Sequence, residues 1–163
     1  MAVKKKELIE GAKAPAFDLA CDPEGRVQLS ALKGKTVVLY FYPKDDTAGC
    51  TREAVDFSGA LKAFAKAGAV VVGVSKDTVA KHAKFREKHK LTVPLASDEE
   101  GATITAYGSW VEKTLYGRKY MGIDRSTFLI DPAGVIRRIW RKVRVPGHVG
   151  EVLDAVKALN SKS

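Results

Sequence analysis

Residues 36–57, TVVLYFYPKDDTAGCTREAVDF, constrain this chain more than any other stretch. Val37 to Tyr42 are β-branched, aliphatic or aromatic without interruption, as in a strand covered on both faces. Pro43 ends the strand, because proline has no N–H to give to a sheet ladder. Lys44 to Gly49 carry loop chemistry. After Cys50 the apolar residues fall at Ala54, Phe57, Leu61 and Phe64, which is helical spacing with one inward stripe. Ala69 to Ser75 then form a second apolar strand. Strand, helix and strand within so short a span make a βαβ unit with parallel strands.

Cys50 therefore sits where a loop hands over to a helix N-terminus. Unpaired N–H groups and the positive end of the helix dipole favour an anion there. Thiols in such places ionise more readily, and the thiolate is the nucleophile. Thr47 lies one helical turn earlier, and its hydroxyl can reach into the same pocket. Position alone leaves two readings open, a reactive thiolate or a small inert cysteine packed at a loop end.

The rest of the chain fills in around this unit. Ala14 to Cys21 and Val27 to Leu29 alternate weakly about an Asp22-Pro23-Glu24-Gly25 turn, which predicts an N-terminal β-hairpin. Asp77 or Thr78 can cap a helix from Val79 to Lys90. Its stripe of Val79, Ala83 and His82 is thin, so the helix is expected on the surface. Val93 to Ser97 is short and contains Pro94, predicting an edge strand or loop. Asp98 caps a short helix through Tyr107. Trp110 to Met121 shows no clean period and reads as a long surface loop in which Trp110, Tyr116 and Tyr120 pack. Arg125 to Ile130, the Asp131-Pro132-Ala133-Gly134 turn and Val135 to Val143 read as an antiparallel hairpin. After Pro146-Gly147-His148, the stripe Val149, Leu153, Val156, Leu159 marks a C-terminal helix. This order predicts an α/β, thioredoxin-like fold: a central mixed sheet flanked by helices, with an N-terminal β-hairpin, in one domain spanning residues 1–163. The chain has no Cys-x-x-Cys, which excludes dithiol exchange of the thioredoxin type.

The 163 residues carry a net charge of +9. The basic residues collect as Lys4–Lys6, as Lys81, Lys84, Arg86, Lys88 and Lys90, and as Arg137, Arg138, Arg141, Lys142 and Arg144. Each of the last two groups is mixed with apolar residues, so solvated faces are expected and no specific nucleic-acid partner. No apolar run approaches the roughly 20 residues of a membrane span. The N-terminus lacks the apolar core of a secretory signal. Two cysteines do not make a disulfide scaffold, which points to a reducing compartment, most simply the cytoplasm. His82, His89 and His148 lack metal-ligand spacing and are expected at the surface, so neither a metal nor another cofactor is implied.

Pro43, Thr47 and Cys50 form P-x-x-x-T-x-x-C within FYPKDDTAGCTREAVDF. With VVVGVSKD, PLASDE, RSTFLIDPAG and WRKVRVPGH, the chain resembles the peroxiredoxins, in particular the PrxQ or bacterioferritin comigratory protein branch. The resemblance implies a thioredoxin-dependent thiol peroxidase, acting on hydrogen peroxide and alkyl hydroperoxides, and a monomer. It implies that Cys50 is the peroxidatic cysteine, oxidised to a sulfenic acid by peroxide. Thr47 then contacts thiolate and peroxide, Pro43 shields the site, and Arg125 holds the thiolate and polarises the peroxide. Arginine suits that role because it stays protonated and offers several fixed donors. Glu53, one turn after Cys50, can pair with Arg125 or Arg52, or stand exposed in the first helical turn.

Relatives in this branch carry a resolving cysteine either five residues after the peroxidatic one or in the next helix. Here those positions are Val55 and, in the segment His82 to Arg86, no cysteine at all. Val55 is expected on the outer face of its helix. Cys21, in the N-terminal hairpin, is the only other thiol and the remaining candidate for a resolving cysteine, although nothing in the sequence brings it to Cys50. The expected mechanism is therefore one-cysteine, with the sulfenic acid reduced by thioredoxin or another thiol. Two alternatives are a peroxide sensor that passes oxidation to a partner protein and a basic nucleic-acid-associated protein.

Overall fold

The computed structural model describes residues 8–23 and 25–161. Lys4–Lys6, the first basic group, and Glu24 lie outside the described residues. In chain order the strands are β1 (Asp18–Asp22), β2 (Gly25–Gln28), β3 (Thr36–Phe41), β4 (Ala69–Ser75), β5 (Leu95–Ser97), β6 (Trp110–Leu115), β7 (Arg118–Ile123), β8 (Ser126–Ile130) and β9 (Ile136–Trp140). The helices are α1 (Ala48–Lys66), α2 (Val79–His89), α3 (Ala102–Ala106) and α4 (His148–Asn160).

The uninterrupted apolar run of β3 is buried at every position and lies inside a seven-stranded sheet of order β2-β1-β5-β4-β3-β8-β9. β4 pairs with it in parallel, as the βαβ pattern requires, and β8 pairs antiparallel on its other side. Alternate residues of β3 serve opposite faces. Val38, Tyr40 and Tyr42 pack with Ala54, Phe57 and Phe64 of α1 and Val152 and Val156 of α4. Val37, Leu39 and Phe41 join Phe17, Ile104, Tyr107 and Phe128 on the other face. The mixed sheet, flanking helices and N-terminal hairpin follow the sequence pattern.

Three local expectations fail. The Trp110 to Met121 segment is not a loop but belongs to a second sheet, the antiparallel ribbon β6-β7, turned by Tyr116 and Gly117 at φ 51° and 76°. Its alternation is hidden because most of both strands is solvated, and Tyr116, expected to pack, is 96% exposed. β5 is not an edge strand: it lies between β1 and β4, and Pro94 is accommodated because it precedes the first strand residue. α2 lies on the surface with a thin buried stripe, as expected, but that stripe is His82 and Phe85, while Ala83 is exposed. Thr78 caps it by accepting from the Lys81 N–H at 3.1 Å. Asp98 sits ahead of α3 rather than at its cap, accepting from the Ile104 N–H at 2.8 Å.

The Tyr40 ring stacks on Phe57 with centroids 4.4 Å apart and lies across Gly73 of β4. A Cβ at Gly73 would come within 2.6 Å of that ring. Gly73→Ala should therefore cost about 1–3 kcal/mol through overpacking. Urea denaturation should show this as a lower midpoint with an unchanged slope. An unchanged midpoint would contradict the packing.

Candidate active site

The site is built where three chain segments end together. Antiparallel pairing sets Ser126, the first residue of β8, opposite Phe41, the last of β3. The residue before Ser126 is Arg125, so the sheet register delivers its guanidinium to the start of α1. Cys50 is the third residue of that helix, and its side chain is 1% exposed. Its place in the first turn is the one expected for a thiol facing unsatisfied N–H groups.

Arg125 joins two side chains of that turn. Its Nη2 donates to Cys50 Sγ at 3.3 Å and its Nη1 to Glu53 Oε1 at 2.7 Å. Burial alone would lower the arginine pKa; Glu53 and then Cys50 overcome this and raise it, so the cation is held firmly beside the sulfur. Gly49 makes room, since a Cβ there would meet Nη2 at 3.1 Å. Glu53 is fully buried, not an exposed first-turn glutamate. Its Oε2 has no hydrogen-bond partner. Burial pushes its carboxyl up to about 7 against the opposing pull of Arg125.

The loop before Cys50 is pinned from below. The Asp45 N–H donates to Asp77 Oδ2 at 2.8 Å. Its carboxylate accepts from the Tyr42 hydroxyl at 2.6 Å and lies 2.7 Å from His82 Nδ1. Burial raises the Tyr42 phenol well above its ordinary value, which keeps it a donor. Pro43 stands half-buried between Tyr42 and this loop. Thr47 occupies the N-cap position but makes no capping bond. Its hydroxyl donates to the Lys44 carbonyl at 2.9 Å, which leaves its lone pairs to accept from another donor.

Two of the three histidines are not at the surface. His82 is 0% exposed. His148 is buried against Phe57 and Trp140, with Nε2 2.8 Å from the Thr127 hydroxyl. Burial lowers its pKa to about 4, so it is neutral. His89 is half-buried and pairs with Asp46 at 2.8 Å. His82 falls on the thin stripe read for α2, whereas nothing in the apolar pattern marks His148 as facing inward. Among the described residues no group of three or more acidic, His or Cys side chains is placed to hold a metal ion.

The positions of the missing second sulfur have separate fates. Val55 is 43% exposed on the outer face of α1, as its helical phase predicts. Arg86 turns inward and clasps three segments. It donates to Asp22 Oδ2 at 2.5 Å, to the Asp22 carbonyl at 2.6 Å, and to the Leu91 and Val93 carbonyls at 2.8 and 3.0 Å. Cys21 lies on β1 opposite Ala96, a residue of the sheet face away from α1. Cys50 belongs to the α1 face. β1 is three places from β3 in the sheet, or about 14 Å at normal strand spacing. A disulfide needs Cα atoms within about 7 Å, so the folded chain keeps Cys21 and Cys50 apart.

The model of the AhpC/TSA family matches residues 11–139. The chain belongs to this family. Within it, the chain is similar to the Bcp and PrxQ peroxiredoxins. It is 49% identical over 152 residues to peroxiredoxin Bcp of Bacillus subtilis, covering 93% of this chain and 97% of that one. It is 46% identical over 147 residues to peroxiredoxin Bcp of Xanthomonas campestris, covering 89% and 92%. A solved structure of the Xanthomonas campestris bacterioferritin comigratory protein, studied for its alkyl peroxide reduction activity, superposes with a TM-score of 0.84. That pair shares 43% identity over 88% of this chain and 92% of the other. The AhpC/TSA family assignment rests on most of the chain, including the whole stretch from Pro43 to Arg125.

A carboxyl raised from 4.5 to about 7 holds its proton more tightly in the folded than in the unfolded chain. Its contribution to stability therefore falls as pH rises through that window. Glu53→Gln should gain stability relative to the parent protein between about pH 5 and about pH 8, read from urea denaturation at both. A difference that does not change with pH would show that Glu53 ionises normally.

Proposed function

We propose that this peroxiredoxin reduces hydrogen peroxide and organic hydroperoxides with Cys50 as its one redox-active thiol, each turnover completed by an outside thiol such as thioredoxin. The carrying observation is the 3.3 Å contact between Arg125 Nη2 and Cys50 Sγ at the first turn of α1. A cation and a helix N-terminus together favour a thiolate.

The Cys50 thiolate attacks the terminal oxygen of ROOH, an S–O bond forms and the O–O bond breaks. The sulfur of Cys50 becomes S–OH, RO⁻ is the leaving group, and RO⁻ takes a proton from solvent to become ROH. Arg125 faces the charge that develops on the departing oxygen, where a fixed donor acts most strongly. The Thr47 hydroxyl gives its proton to the Lys44 carbonyl, so its lone pairs can accept the peroxide O–H and align the O–O bond with sulfur. Pro43, half-buried beside this loop, limits water. The alkyl peroxide reduction of the Xanthomonas relative supports organic hydroperoxides as substrates.

An outside thiol then attacks the sulfenic sulfur, releasing water and leaving a mixed disulfide, which a second thiol reduces. The separation of Cys21 from Cys50 and the clasp made by Arg86 support an outside partner over an internal one. We read the chain as one domain, working as a cytoplasmic monomer. No helix among the described residues is long and apolar enough to cross a membrane.

With thioredoxin, thioredoxin reductase and NADPH supplied, peroxide turnover should be sustained, lost in Cys50→Ser and kept in Cys21→Ser. After one equivalent of peroxide, dimedone should mark Cys50 and a non-reducing digest should hold no Cys21–Cys50 peptide. Such a peptide, or lost turnover in Cys21→Ser, would overturn the one-cysteine mechanism. Consumption that stops after one equivalent would favour a peroxide sensor.

A further inference from the structure

The residue with the least expected surroundings is His82. It is on α2, outside the motif that carries the peroxide chemistry, yet it is fully buried between that motif and the sheet. Its Nε2 is 3.0 Å from the Ala96 carbonyl of β5, and its Nδ1 is 2.7 Å from Asp45 Oδ2. A carbonyl only accepts, so Nε2 carries a proton. A contact of 2.7 Å between Nδ1 and a carboxylate oxygen holds one proton between them. The two groups form a buried, hydrogen-bonded pair.

Such a pair is a costly way to hold a loop. Taking two such polar groups out of water offsets much of their attraction, so a buried pair is weak as a source of stability and better suited to fixing a geometry. Here the geometry is that of the Lys44–Thr47 turn. Asp46 within it has φ 62°, a left-handed backbone that a side chain adopts only when the surroundings enforce it. The outer contacts of Asp46, to Lys88 and His89, are solvated pairs worth little. The firm holds are those on Asp45: Tyr42, Asp77 and His82. Lys44, the neighbour of Asp45, presents the carbonyl that takes the Thr47 proton.

We propose that His82 is a positioning residue for the peroxide reaction. Through Asp45 it fixes the Lys44 carbonyl and thereby the direction of the Thr47 hydroxyl lone pairs. His82 touches neither sulfur nor peroxide. It acts on the second reactant only, since the side chain that contacts the Cys50 sulfur is Arg125, which does not touch His82. The inference rests on the peroxidase reading of Cys50 and Thr47 and adds a residue to it.

The test compares His82→Gln, Thr47→Val and the double variant by stopped flow with hydrogen peroxide. The pH profile of Cys50 alkylation by iodoacetamide is measured beside it. His82→Gln should lower the peroxide rate constant about 10- to 100-fold, the scale of a small misplacement. Its alkylation profile should match the parent protein. In the Thr47→Val background the same change should cost no more than about twofold, because the two residues act in series. An unchanged peroxide rate, full multiplication of the two losses, or a displaced alkylation profile would each overturn the proposal. If His82→Gln fails to fold, Asp45→Asn takes its place in the cycle and the same outcomes decide. A parent protein whose Cys50 does not react with peroxide would instead refute the peroxidase reading itself.

Discussion

The 3.3 Å contact between the Arg125 guanidinium and the Cys50 sulfur joins residues 75 positions apart, and the site exists only while it holds. Its parts are set by the sheet. β3 must run to Phe41 and stop, α1 must begin within a short loop, and β8 must return antiparallel so that its first residue faces the end of β3. The buried aromatic run of β3 and the stripe of α1 supply the apolar burial that fixes these three ends together. Hydrophobic packing thus sets a charge geometry in place.

Beneath the sulfur the protein buries groups that would be better solvated. Glu53 keeps one carboxyl oxygen without a partner, and Asp45 and His82 form an enclosed hydrogen-bonded pair. These are costs to folding, and they gather at one end of β3. The opposite trade is made at Arg86, where the guanidinium is spent on three carbonyls and one carboxylate that tie α2 to β1 and to the segment leading into β5. The position at which relatives of this branch can carry a second sulfur is here a structural clasp. α2 is thereby fastened at both His82 and Arg86, one helical turn apart and turned toward the protein.

Much of this was legible in the residue order. The unbroken apolar run of β3, the proline that ends it and the stripe that follows announce strand, loop and helix without ambiguity. Pro43, Thr47, Cys50 and Arg125 stand in one recognisable pattern, and the structure brings Cys50 and Arg125 into contact. The β6-β7 ribbon was hidden because a solvated hairpin has no buried face to impress alternation on its sequence. β5 was misplaced because proline was weighed as an edge signal although it lies just outside the strand. Glu53 and His148 escaped for a common reason: burial of a polar side chain depends on partners distant in the chain. Sequence periodicity registers only apolar burial. The Arg86 clasp is of the same kind, an arginine among basic surface neighbours that differs from them only by facing Asp22.

In the proposed reaction Arg125 serves the peroxide oxygen as well as the thiolate. The most direct measurement replaces Arg125 by methionine and compares two reactions of Cys50, with hydrogen peroxide and with iodoacetamide, each at a pH where the thiol is fully ionised. Alkylation then reads only the thiolate, and should stay close to that of the parent protein. The peroxide rate should fall by roughly 100-fold or more, the usual effect of removing a donor aimed at a developing negative charge. Equal rates for the parent and variant proteins in both reactions would contradict the account, because Arg125 would then do no more than ionise the thiol.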